Sequence, residues 1–164
     1  MKRKLLVGVA VLALAGMSVG ALWAGSASAD DKRRTFTRVL SLADAEIAEI
    51  DEGDEGPSLG DELIVSGPLT NRSGNTVLGR LDVSCVTTSA PGPSAELRQL
   101  CVSTASALGA PGPEIEMQGV GRLEAEDVDA AITGGTGIYR EADGFATFDF
   151  STEGKVVITF HVIF

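Results

Sequence analysis

The sequence has little of what most metal and nucleic-acid sites are built from. Among 164 residues it holds one histidine, His161, and two cysteines, and aromatic residues make up 5%. A zinc site is poorly supported, because the cysteines lack a close Cys-x-x-Cys spacing. The chain has 13 lysines and arginines but 23 acidic residues. It therefore lacks the clustered cations that bind phosphates. We therefore expect no metal, no cofactor and no nucleic-acid partner.

The N-terminus has the pattern of an export signal. Lys2-Arg3-Lys4 precedes an apolar run from Leu5 to Gly16, and Ala27-Ser28-Ala29 supplies small residues before Asp30. This pattern predicts a Sec-type signal peptide over residues 1–29, cleaved before Asp30. A membrane anchor is the alternative, because Leu5 to Ala24 is just long enough to span a bilayer. We expect a secreted, extracellular protein with no stable membrane insertion.

Cleavage would leave a small, acidic chain. Removing 29 of 164 residues leaves 135, the size of one domain. The three cations of the leader are lost with it, so the net charge of −10 becomes −13. Such a chain is too short for a multi-domain enzyme.

Export also makes the two cysteines interpretable. An oxidising compartment favours pairing of an even number of thiols, and Cys85 and Cys101 are the one available pair. The turn-forming segment Ala90-Pro91-Gly92-Pro93-Ser94 lies midway between them. We therefore predict a disulfide between facing positions of one hairpin, with thiol catalysis as the weaker alternative.

The sequence of the mature chain predicts strands joined by short turns. β-Branched and aromatic residues occur in short runs, separated by Gly, Pro, Asn or Asp, and helical periodicity is scarce. None of the links has room for a crossover helix, so we predict an antiparallel sheet. The segment Ala43 to Ile50 could be strand or helix. The eight predicted runs are Thr35 to Ile50 (interrupted), Glu62 to Thr70, Thr76 to Thr87, Leu97 to Leu108, Glu114 to Glu124, Asp129 to Thr133, Gly144 to Phe150 and Lys155 to Phe164.

The last run suggests a closed barrel. Val156, Ile158, Phe160, Val162 and Phe164 would share one face, while Val157, Thr159, His161 and Ile163 share the other, and both faces are largely apolar. Closure also removes unpaired edges, which favours an up-and-down barrel over a sandwich. An outer-membrane barrel is disfavoured because aromatic girdles need more aromatics. His161 is interpreted as a packed or interface residue.

One stretch carries a family resemblance. Ala131-Ile132-Thr133-Gly134-Gly135-Thr136-Gly137-Ile138-Tyr139, followed by Ala142-Asp143-Gly144-Phe145-Ala146-Thr147, resembles the dirigent and allene oxide cyclase families. Gly56-Pro57-Ser58-Leu59-Gly60-Asp61, Gly67-Pro68-Leu69-Thr70 and Leu78-Gly79-Arg80 follow the same order. The resemblance covers residues 48–164, with residues 30–47 as an N-terminal extension or first strand. The glycine run lacks the Lys-Ser/Thr of a phosphate loop and the helix of a dinucleotide fold.

The resemblance implies an all-β fold and a function class. The fold is an eight-stranded antiparallel up-and-down β-barrel of the calycin-like, allene oxide cyclase and dirigent type, assembled as a homotrimer around apolar cavities. Those families steer cyclisation or coupling of a conjugated guest. By that resemblance the chain binds a small hydrophobic molecule and, if it is an enzyme, is an isomerase or cyclase.

The same resemblance assigns candidate site residues. Glu49 takes the position of an acid that the first strand presents to the cavity, and Asp51 follows it on the same face, so both are candidate catalytic residues. The alternative is that both belong to a solvated acidic run. The candidate cavity-lining residues are Val65, Ser66, Phe145, Phe148 and Phe160, with Phe150 as a further apolar one.

Two departures weaken the assignment of an activity. Ser66-Gly67 stands where the families carry Asp or Asn, and Asp143 stands where dirigent proteins commonly carry Arg. A non-catalytic carrier or interaction domain with the same barrel is therefore the alternative function.

Overall fold

A computed structural model describes residues 33–53, 55–89, 97–109, 112–122 and 125–164. The predicted leader, its cleavage site before Asp30, the turn residues between the two cysteines and Glu124 lie outside the described residues. Within the described part of the chain, no helix has the length and apolar character needed to cross a membrane.

Nine strands and two short 3-10 turns make up the described chain. Buried and more exposed side chains alternate along most of the strands, most regularly in the fourth and the last, which is the pattern of a sheet with one face on the core. The 3-10 turns are Leu42–Asp44 and Gly137–Tyr139. The strands are β1 (Arg34–Ser41), β2 (Glu46–Ile50), β3 (Glu62–Thr70), β4 (Val77–Ser89), β5 (Arg98–Ala107), β6 (Glu114–Arg122), β7 (Asp127–Gly135), β8 (Asp143–Asp149) and β9 (Lys155–Ile163).

The strands close into an antiparallel barrel of eight positions. Their order is β1-β9-β8-β7-β6-β5-β4-β3-β2, and β1 also pairs with β3. β1 contacts β3 at Val39 and Leu40, and β2 continues along β3 from Glu46 to Ile50, so these two strands share one position. The predicted up-and-down barrel is confirmed. The ambiguous segment Ala43 to Ile50 is a 3-10 turn followed by a strand.

The two cysteines form the predicted disulfide. Cys85 on β4 and Cys101 on β5 are directly opposite each other in the antiparallel register, and their sulfur atoms are bonded. They are 16 residues apart in sequence. The bond therefore ties together two neighbouring strands of the barrel wall.

The side chains of the last strand alternate between the inside and the outside of the barrel, as the sequence predicts. Val156, Ile158, Phe160 and Val162 are 0–5% exposed and belong to the core cluster. His161 faces outward, where its ring stacks on Phe145 at 4.5 Å between centroids. The neighbouring outward residues of β9 are partly covered by β1 and β8, with which β9 pairs. His161 is thus a packed surface residue in this structure.

The glycine run extends a strand instead of forming a free loop. Gly134 and Gly135 pair with Glu116 and Ile115 of β6, so β7 is longer than the predicted Asp129 to Thr133. Gly134 has a φ of +137°. Gly135 is required for a different reason, because a Cβ there would lie 1.9 Å from the backbone oxygen of Glu114.

Candidate functional site

A cavity opens at one end of the barrel. Its volume is about 440 Å³, within the range of small-molecule sites. Its wall uses the end of β2, the start of β3, the end of β6 and the end of β8, so the cavity lies at the end of the barrel where β2, β6 and β8 finish. We call this the mouth end. The opposite end is filled by the core side chains Ile115 and Phe160.

One row of neighbouring residues crosses the cavity wall. The strand register places Glu49 beside Leu63, Leu63 beside Cys85, Cys85 beside Cys101, and Cys101 beside Gly119. All five line the cavity. Because directly opposite residues point to the same side of a sheet, the disulfide is part of the cavity wall.

Two glycines of β6 leave part of the cavity wall without side chains. Gly119 and Gly121 both line the cavity. A Cβ at Gly121 would lie 3.5 Å from the Cys101 Sγ, which is an ordinary contact distance. A side chain at position 121 would therefore project into the cavity without disturbing the backbone.

The inner part of the cavity is apolar. Leu40, Leu81 and Val156 are 1–5% exposed and line it. The polar group at this depth is Ser103, which is 5% exposed. Nearer the mouth, Gln99 donates from Nε2 to Thr87 Oγ1 at 3.4 Å. Such a wall binds apolar surface and offers few groups for polar recognition.

Glu49 lies at the rim of the cavity. It is an exposed residue near the end of β2, and its neighbour in the alternation, Ile47, also lines the cavity. Among the described wall residues, Glu49 is the one carboxylate. Asp51 does not line the cavity, because β2 ends at Ile50 and the alternation that would turn Asp51 inward stops there.

The other candidate lining residues divide into two groups. Val65 and Phe148 line the cavity, and so does Phe150. Ser66 and Phe145 lie outside it, which corrects the expectation for them. Ser66 precedes Gly67 on the opposite face from Val65, and its Oγ is hydrogen-bonded to Asp82.

Phe160 is also absent from the cavity wall. It points inward but is 1% exposed and stacks on Phe36, at 4.8 Å between ring centroids, in the filled end of the barrel. The alternation of β9 therefore predicts that the Phe160 side chain points into the barrel, but it does not predict how far from the mouth that side chain lies.

Several wall residues had not been singled out from the sequence, namely Ile47, Gln99, Gly121 and Arg122. Gln99 could have been found, because it shares the alternation of Cys101 and would turn inward with it. Gly121 follows from its pairing with Gln99, which the sequence does not reveal, and Arg122 lines the cavity as the last residue of β6.

The loop after Glu49 is held by a carboxylate. Asp61 Oδ2 accepts a hydrogen bond from the Ser58 backbone amide at 2.6 Å, and its Oδ1 accepts from the Glu52 amide at 3.0 Å. These backbone donors, the Ser58 amide first, lower the pKa of Asp61 below its ordinary value. The Asp61 backbone oxygen also accepts from the Thr87 amide at 2.8 Å. The rim beside Glu49 is thereby fixed to β4.

The turn after β8 is held in the same way. The Asp149 carboxylate accepts from the Ser151 amide at 2.8 Å, and the hydroxyl and amide of Ser151 lower the Asp149 pKa. This turn carries Phe150, which lines the cavity and is 47% exposed. The turn that carries Phe150 is therefore held at the mouth by a hydrogen bond to the Asp149 carboxylate.

The described residues contain no group of three or more His, Cys, Asp and Glu side chains placed to hold a metal ion. The cavity has instead one carboxylate, one guanidinium group, two aromatic rings and a mostly aliphatic wall. This arrangement can enclose an apolar molecule and present a proton-transferring group at its edge.

Comparison with known proteins defines the fold. No family model matches the chain, and no curated protein sequence matches it. The structure of a pyocyanin demethylase matches with a TM-score of 0.64 and 23% identity, over 79% of this chain and 98% of that one. The pterocarpan synthase dirigent protein GePTS1 matches with a TM-score of 0.59 and 18% identity, over 81% of this chain and 86% of that protein. The chain has the dirigent-type barrel fold.

Barrels of this type also include cyclases. The Diels-Alderase AbmU from Streptomyces koyangensis matches with a TM-score of 0.56 and 14% identity, over 85% of this chain and 71% of AbmU. At these identities the likeness establishes the dirigent-type barrel and leaves the activity to be argued from the cavity.

Proposed function

We propose that this dirigent-type barrel encloses one small hydrophobic molecule and holds it in a single conformer, so that the guest isomerises or cyclises in one stereochemical sense. The observation that carries the proposal is the 440 Å³ cavity with an aliphatic floor and one carboxylate at its rim. Holding reactive atoms in a near-attack geometry lowers the barrier without a cofactor. The matching barrels of a dirigent protein and a Diels-Alderase support this class of reaction.

Glu49 is the proposed proton-transferring group. Its position at the rim places the carboxyl beside the opening, where the polar end of a guest would lie. The Glu49 carboxylate takes a proton from one atom of the guest as a general base and returns it to another atom of the guest later in the cycle. The isomerisation then changes no atom count. Asp51 has no part in this step, because it does not line the cavity.

A non-catalytic carrier is the second candidate. The inner wall around Leu40, Leu81 and Val156 has no titratable side chain among its described residues. A guest seated at that depth would be bound by apolar contact alone. The same barrel would then store or transport the molecule without changing it.

Cavity binding is tested with N-phenyl-1-naphthylamine, a neutral fluorophore whose emission rises in apolar surroundings. We expect saturable binding to the wild type and to Gly121→Ala, the matched control, since a Cβ fits there. Gly121→Leu fills part of the cavity and should weaken binding about tenfold, or 1.4 kcal/mol. Equal affinity in all three proteins would place the probe elsewhere and reject the site.

Catalysis is tested separately from binding. The guest recovered with the purified protein is offered to the wild type, to Glu49→Gln, and to Glu52→Gln as the control in the adjacent exposed loop. We expect Glu49→Gln still to bind the guest but to lose about 100-fold in turnover at saturating guest, the usual contribution of a general acid or base. Equal turnover in all three would favour the carrier function.

We also propose that the protein acts outside the cytoplasm and assembles as a homotrimer. The Cys85–Cys101 disulfide supports an oxidising compartment. The apolar residues on the outer face of the barrel, such as Val102 at 53% exposure, support contact between copies. Mass measurement of the secreted, non-denatured protein gives both the cleavage site and the subunit count.

A further inference from the structure

The two ends of the barrel differ in charge. The mouth end, taken as residues 49–62, 87–99, 121–128 and 148–156, has ten acidic and three basic side chains among its described residues, a formal charge of −7. The filled end, taken as residues 33–35, 70–77, 107–115 and 135–144, has four basic and three acidic ones, a formal charge of +1. The protein's acidity is therefore concentrated around the cavity opening.

Folding explains only part of this arrangement, in which Asp61 and Asp149 hold connections by hydrogen bonds. Asp127 and Asp149 are directly opposite each other on β7 and β8 at the mouth. Like charges at such positions lower stability. Arg98 and Arg122 form a second like-charged pair, on β5 and β6. These two arginines with Lys155 are outnumbered by the surrounding carboxylates, so the field at the opening stays negative.

The cavity wall adds groups that bind organic cations. Glu49 places a carboxylate at the rim, Phe150 places a half-exposed ring beside the opening, and Phe148 lines the wall where it packs against the core. Aromatic faces and carboxylates are the groups that bind organic cations, the rings through their quadrupole. Arg122 is the one cationic residue on the described wall, so the wall itself has no net charge and the negative field comes from the carboxylates around the opening. A low-dielectric cavity strengthens the effect of charges around its opening.

We infer that the cavity selects apolar guests that carry a positive charge, or none, and rejects anionic ones such as fatty-acid carboxylates. This inference rests on the proposed function, since it names the charge class of the molecule that the same cavity encloses. A cationic heteroaromatic ring would place its apolar body against Leu81 and Val156 and its charge near Glu49. A carboxylate guest of equal size would lose affinity at the mouth.

The test uses three probes with one tricyclic skeleton and different charge. Acridine is neutral at mildly alkaline pH, 10-methylacridinium is a cation, and acridine-9-carboxylate is an anion. Their dissociation constants are measured by fluorescence titration at about 0.01 M and 0.5 M salt, which changes the screening length several-fold. We expect the cation to bind about tenfold more tightly than the anion at low salt. The difference should shrink to less than about threefold at high salt.

Two double variants assign the effect to the mouth. Glu126→Gln with Glu153→Gln removes two exposed mouth carboxylates, and Glu116→Gln with Glu141→Gln removes two exposed carboxylates away from it. We expect the mouth variant to lose a measurable part of the cation preference and the control to keep it. Thermal unfolding of each variant shows that all are folded.

The outcomes separate the two claims. Equal affinities for the three probes, or tighter binding of the anion, would overturn the charge inference and leave the cavity as a guest site. Failure of all three probes to bind would overturn both the inference and the proposed function. An undiminished cation preference in the mouth variant would also reject the inference, since the charge would then act from elsewhere.

Discussion

Removing the disulfide should destabilise the barrel by an amount that its loop length fixes. Cys85 and Cys101 are 16 residues apart, and in the chain-entropy model a cross-link closing such a loop contributes about 3 kcal/mol. We therefore expect Cys85→Ala with Cys101→Ala to lower the free energy of unfolding by about 3 kcal/mol. For a domain of this size that corresponds to a Tm lower by about 10 °C.

Urea denaturation of the oxidised wild type, the reduced wild type and the double variant measures this loss. Reductant should destabilise the wild type and leave the double variant unchanged, which is the internal control. Because the sulfur atoms line the cavity, guest affinity should change much less than stability. A loss below about 1 kcal/mol with an unchanged m-value would refute the loop-entropy reasoning.

The remaining predictions concern one close contact and one titrating loop. Gly135→Ala should cost about 2–3 kcal/mol, because its Cβ would meet the Glu114 backbone oxygen at 1.9 Å, while Gly121→Ala should stay within about 0.5 kcal/mol; equal urea midpoints would contradict this. The lowered pKa of Asp61 means that its contribution to stability is present above the unfolded value, near 3.8, and is lost as pH falls through the folded value. Thermal unfolding should therefore weaken more steeply below about pH 4 in the wild type than in Asp61→Asn, and parallel pH profiles would count against the loop anchor.

The sequence predicted the barrel because its signals are local. Alternation along Lys155 to Phe164 depends on the two-residue period of a strand, and the structure places Val156, Ile158 and Phe160 inside accordingly. The disulfide was predictable because the turn-forming residues between the two cysteines are centred between them. Neither prediction needed knowledge of which strands are neighbours beyond one hairpin.

The cavity could be predicted only in part, because depth and register are properties of the whole barrel. Val65 and Ser66 are consecutive, so one strand cannot turn both inward, and the register decides in favour of Val65. Phe160 faces inward, but its depth places it in the filled end. Asp51 failed as a lining residue because β2 stops one residue earlier. Each of these differences arose because the sequence pattern does not give the register of a strand, the depth of a side chain in the barrel or the residue at which a strand ends.

The cavity's occupancy is the central claim, and native mass spectrometry tests it most directly. The protein is isolated without denaturation from the organism that makes it, beside the Gly121→Leu variant produced in the same way. We predict a discrete added mass of one small molecule per chain in the wild type, reduced or absent in the variant. The bare chain mass in both proteins, or the same added mass in both, would contradict a guest bound in this cavity.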